Sequence, residues 1–295
     1  MPCASLHHRS GDLEILRLQS QHIRRLHHRS GDLESLHNIA TFGTVLHHRS
    51  GDLEIGMKKQ KNQINLHHRS GDLENQGQHK PKADRLHHRS GDLESLEAFT
   101  LSLHSLHHRS GDLEMKSLQQ PLQVSLHHRS GDLEINRLFK QCVFFLHHRS
   151  GDLENNLDVY NEFMGLHHRS GDLETTKPLT LMKKLLHHRS GDLEMTSRTI
   201  DSTLNLHHRS GDLESVLGDS LKDAKLHHRS GDLEICAATS SAALILHHRS
   251  GDLEILRLLL NYCQALHHRS GDLENRGAPV AEVAKLHHRS GDLEN

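Results

Sequence analysis

Two leucines mark every 20 residues of this chain, Leu6 and Leu13 first and Leu286 and Leu293 last. They frame an otherwise polar nonapeptide, Leu-His-His-Arg-Ser-Gly-Asp-Leu-Glu, that recurs fifteen times without a substitution. Between copies lie eleven-residue segments with no common pattern. Where such a segment is apolar, as in ILRLQSQHIRRL (15–26), INRLFKQCVFFL (135–146) and ILRLLLNYCQAL (255–266), the spacing predicts a helix. Ser10 and Gly11 suit a turn, and Asp12 suits the cap of a helix starting at Leu13. His and Arg of the next copy suit its negative end. The pattern therefore predicts a mainly α chain, with one helix of about 15–17 residues per unit and Ser-Gly turns between helices.

A stacked repeat must show an apolar position in every unit, because neighbours bury one continuous core. The fourth variable position reads Leu18, Asn38, Lys58, Gln78, Ala98, Leu118, Leu138, Asp158 and Pro178, with no shared property. NQGQHKPKADR (75–85) is almost wholly polar. Pro178 falls where a helix interior is required, at a cost of about 3 kcal/mol. His7, His8 and Arg9, which never vary, are residues a solenoid would leave on its surface. On this pattern we expect no shared core and no stable native fold, only fifteen 20-residue units over 1–295 without domain boundaries.

Composition agrees with a poor core. Hydrophobic residues are 34% and aromatics 3%, with no Trp, so the usual suppliers of buried area are scarce. The net charge of −2 names no polyionic partner, although the fifteen nonapeptides carry −15 and the remainder +13. Cys3, Cys142, Cys236 and Cys263 form no C-x-x-C pair and suggest neither zinc ribbon nor disulfide framework. The first residues, MPCASLHHRSGDLE, lack the apolar stretch of a secretory signal, and no run has the length of a membrane span. A cytoplasmic location is the expectation.

One column suggests why nine residues stay fixed. After each Glu stand Ile15, Ser35, Ile55, Asn75, Ser95, Met115, Ile135, Asn155, Thr175, Met195, Ser215, Ile235, Ile255, Asn275 and Asn295. No side-chain chemistry unites them, but each can be written by a codon beginning with A. The constant element then spans 28 nucleotides and the variable one 32. This resembles a CRISPR array of the subtype I-F class. Its usual repeat translates to a nonapeptide that His7, Arg9, Gly11, Leu13 and Glu14 match, while His8 and Asp12 depart together, as the two arms of a hairpin stem would. The resemblance implies a spurious open reading frame with no selected protein function, whose work would be done as guide RNA by base pairing.

Other functions find less in the residues. LHHRSGDLEILRLLL (246–260) resembles an ankyrin stretch through Leu246, His247, Gly251, Glu254, Ile255, Leu258, Leu259 and Leu260, which implies a helical repeat protein binding a protein partner. The period of 20 and the missing Thr-Pro depart from that family. The His-His pairs supply 30 of the 34 histidines and suggest adventitious binding of divalent metal, but not an evolved site, because adjacent histidines share no helix face. Asp12 and Glu14, two apart, do not converge on a helix, and Ser10, His8 and Asp12 are too close in sequence for a triad. We expect no enzyme, no catalytic, cofactor-binding or metal residue, no cofactor, no protein partner, and no membrane or specific nucleic-acid binding.

Overall fold

The computed structural model describes residues 4–15, 23–35, 44–55, 63–75, 82–95, 105–115, 123–135, 143–155, 160–161, 163–175, 180–181, 183–197, 202–217, 221–237, 243–256, 263–275 and 286–294. These residues are all β, with no helix among them. Each 20-residue period gives one long strand that runs through the constant Leu-His-His, and on through Arg-Ser in all but Ala4–His8, Ile23–His28 and Leu286–His288, and one short strand starting at Leu-Glu. Gln123–Ser130 and Leu133–Ile135 are one such pair. Long strands pair in parallel with long strands of adjacent periods, and short with short, in constant register: Leu106 faces Leu126, His107 faces His127, and Leu113 faces Leu133. This is a parallel β-solenoid, one coil per repeat.

The chain divides into two compact units, Met1–His147 and His148–Asn295. The first holds the long strands from Ala4–His8 to Gln123–Ser130 and their short partners. The second repeats the arrangement from Phe163–Ser170 to Leu286–His288. It also carries a small parallel pair, Tyr160–Asn161 with Thr180–Leu181.

The turn between the strands explains the invariant glycine. Gly111 has φ of +111°, a conformation other residues adopt only with strain. A side chain there would also overlap the carbonyl of Gly91, one coil back. The hydrogen-bonded ladder runs through this corner without a gap: Leu93 N–H donates to Asp112 O at 2.9 Å, and Gly111 N–H to Ser130 O at 3.2 Å. Ser130 Oγ donates to Arg109 O, and Asp112 N–H donates to Asp92 Oδ1 at 3.0 Å. Ser, Gly and Asp thus each satisfy a backbone group that a parallel corner would otherwise expose.

Strand alternation decides what is buried. In Ser105–Ser110 the pattern buries Leu106 and His108 and turns His107 and Arg109 outward. Leu113 is buried at the start of the next strand, and Met115 two residues later. The core is therefore built from the constant segment itself, as columns of Leu, His and Leu. The residue after Glu joins it where its side chain is described, at Met115, Ile135, Met195, Ser215, Ile235 and Ile255.

This corrects the expected fold. The chain is not mainly α, its Ser-Gly corners separate strands instead of helices, and it has a shared core. Two physical points account for the difference. The apolar face lies in the constant segment and not in the variable ones, because Leu6-x-His8 and Leu13-x-15 alternate with the period of a strand. Histidine also need not lie at the surface: the second histidine of the pair is buried from His28 to His268. The expected helices at 15–26, 135–146 and 255–266 fall largely on 16–22, 136–142 and 257–262, outside the described residues, and their described ends are strand. The column from Leu18 to Pro178 and the polar segment 76–81 also lie outside them.

Candidate functional site

The two histidines of each pair point to opposite faces and have different chemistry. In the first unit His28, His68, His88 and His108 are buried and stacked, with ring centroids 4.8–4.9 Å apart along His28, His48, His68, His88 and His108. His108 Nε2–H donates to Gly91 O at 2.9 Å, which fixes the proton on Nε2. Its Nδ1 is buried without a hydrogen-bond partner. Burial chiefly, and the neighbouring rings of His128 and His88, push His108 down to about 4, against the opposing pull of the Gly91 carbonyl. His68 is lowered to about 4 for the same reasons. In the second unit His168, His208, His228 and His248 are likewise lowered to about 4, again chiefly by burial. This column is a structural one, stacked and buried in the core.

The outward column is the accessible one. His27, His47 and His67 stack at 4.7 and 4.8 Å with rings within 3° and 11° of parallel. Each ring covers its neighbour's face, and all three residues are half-buried. Two residues on, along the same face, stand the exposed Arg29, Arg49 and Arg69. With Ser30, Ser50 and Ser70 they line a groove at the end of the long strands. The seryl hydroxyls are tied as donors, Ser50 Oγ to Arg29 O and Ser70 Oγ to Arg49 O, so the polar floor is fixed. The arginines are carried at strand spacing, about 4.8 Å. The aspartates of the corner lean on the backbone, Asp52 Oδ1 accepting from Asp72 N–H, and Glu34, Glu54 and their equivalents sit on the short strands. Cation and anion columns thus ride on different strands.

None of these residues was marked as a site from the sequence, and the signal was available: within a strand, alternation sends His7 and Arg9 to one face and His8 to the other. Because the pair diverges, His7 and His8 cannot close on one ion. Among the described residues no group of three or more His, Cys, Asp or Glu is placed to hold a metal. Ser10, His8 and Asp12 do not converge either, since the equivalents of His8 are buried and those of Asp12 are exposed. Cys236 is a half-buried free thiol. No helix among the described residues is long and apolar enough to cross a membrane.

A family model described as Toastrack DUF4097 matches residues 9–165 and again 166–294. The chain belongs to this family. No curated protein and no solved structure matches it. The family match across nearly the whole chain overturns the expectation of a translated CRISPR array without protein function, and it equally overturns the helical, ankyrin-like alternative. The constancy of the nonapeptide has a protein-level account: an in-register ladder stacks each residue on its own copy, and every corner position has a partner one coil away.

Proposed function

We propose that this Toastrack DUF4097 chain is a binding scaffold that holds an extended, linear ligand along its outward ladder, without chemical transformation of it. The observation that carries this reading is the repetition of one contact at one spacing: His27, His47 and His67 in a stack of 4.7–4.8 Å, with an exposed arginine beside each. Such a surface offers a monomer one weak contact and a polymer many, so affinity grows by effective concentration. Catalysis asks for the opposite, a few unlike groups converging on one reacting centre.

The test is binding as a function of ligand length. Linear polyanions (polyglutamate, inorganic polyphosphate and polygalacturonate), each supplied from the single repeat upward, are titrated into the purified full chain at equal repeat concentration. Affinity that climbs with length supports the scaffold. Affinity independent of length, or an absence of binding by every polymer, overturns it.

A further inference from the structure

We infer that the groove of Arg29, Arg49 and Arg69 with its flanking histidine stack is a site for a linear acidic polysaccharide, a chain of uronate sugars; this rests on the scaffold reading above. Three features favour that class. The cations are exposed guanidinium groups, whose planar forks fit carboxylates two bonds at a time. They recur at about the spacing of neighbouring strands, 4.7–4.9 Å. Successive pyranose rings of a linear polyuronate are turned about the chain axis, so the carboxylates on one side recur every second or third ring and can meet every second or third arginine of the row.

The histidine column supplies the second contact. The edges of His27, His47 and His67 carry ring nitrogens that can exchange hydrogen bonds with sugar hydroxyls, each ring acting as donor at one nitrogen and acceptor at the other when neutral. The ligand thus meets a row for its carboxylates and a parallel row for its hydroxyls, both with one member per coil.

Nucleic acid fits the same surface poorly. Phosphates along one strand of a duplex advance about 3.4 Å each along the axis while winding around it, so they do not stay over one straight row of arginines. Single strands are held by stacking of bases on open aromatic faces. Here the faces of His27, His47 and His67 are occupied by one another, at 4.7 and 4.8 Å.

The experiment compares oligogalacturonate, its methyl ester, inorganic polyphosphate and single-stranded DNA of matched charge count on the full chain. It then repeats the comparison on a variant with Arg9→Gln and the same change at the other fourteen nonapeptide arginines up to Arg289→Gln, shown by circular dichroism to keep its strands. A second variant, Glu34→Gln with Glu54→Gln, serves as a charge-change control on the short strands. The inference expects oligogalacturonate to bind tightest, the ester to lose most of that affinity, and the arginine variant to weaken it about a hundredfold, the scale of lost multivalency. Equal or tighter binding of DNA or polyphosphate, or an arginine variant that binds as before, overturns the polysaccharide site while the scaffold reading stands. Failure of every polymer to bind overturns both.

Discussion

His108 gives its Nε2 proton to the carbonyl of Gly91, 2.9 Å away and one coil back. That bond places a titratable ring inside the core and fixes it as the neutral tautomer. Its Nδ1 has no acceptor within reach, so a second proton would bring both a buried charge and an unsatisfied N–H. The equivalents in other coils make the same bond, His68 to Gly51 and His228 to Gly211.

Acid should therefore unfold the protein through this column. A neutral ring in the native state, lowered from 6.5 to about 4 at His68, His108, His208 and His228, binds fewer protons than the same ring in the unfolded chain. Stability is then fully present above 6.5 and falls as pH drops from 6.5 toward 4. Because several stacked rings titrate together, the fall is steep. Urea midpoints measured from pH 8 to pH 4 check this, and a midpoint that does not change between pH 7 and pH 5 contradicts it.

The leucine columns should be costly inside and cheap at the end. Leu126 is 0% exposed and Leu6 is 38% exposed, although their sequence surroundings are the same nonapeptide. Leu126→Ala should lose about 2–5 kcal/mol, the range for a large-to-small change in a packed core. Leu6→Ala should cost well under half of that. Chemical denaturation of the two variants decides the point, and equal losses would mean that the columns are not stacked as described.

Glycine at the corner separates two costs. Gly11 has φ of +95° and open space where a Cβ would go, so Gly11→Ala carries only the backbone strain, about 1–3 kcal/mol. Gly111→Ala carries that strain and in addition drives its Cβ into the Gly91 carbonyl. The interior variant should be clearly the less stable of the two by thermal melting, and a matched pair of melting temperatures would rule out the close corner stack.

Asp92 tests whether the corner ladder depends on charge or on hydrogen bonding. Its Oδ1 accepts from Asp112 N–H at 3.0 Å, and an amide oxygen can do the same. Asp92→Asn should hold stability at low salt or raise it slightly, by relieving repulsion among aligned carboxylates, whereas Asp92→Ala should lose about 1 kcal/mol. Denaturation of both variants at low and high salt is the check.

The repeat and its length were legible in the residues, and so was a break at Ser10-Gly11, but the kind of element on either side was not. Asp12 before Leu13 satisfies the rules for a helix cap, and it also serves a strand corner, where Asp12 Oδ1 takes the N–H of Asp32. Which of the two wins is decided by coil-to-coil pairing, a long-range contact that no single unit displays. The placement of His8 was hidden for a related reason. Its inward position depends on a carbonyl in another coil, as His28 depends on Gly11. Arg9 and His7 could have been assigned to one face by alternation alone, once the segment was taken as a strand.

Hydrogen–deuterium exchange of the purified full chain tests the central claim, that the constant nonapeptides form one paired strand ladder in each unit. Peptides spanning the constant segment pool all copies, so their mean protection reports the ladder directly. The solenoid predicts slow exchange at the amides paired between coils, Leu93 to Asp112 and Gly111 to Ser130 among them. Uniform exchange at free-chain rates across the constant segment would contradict it.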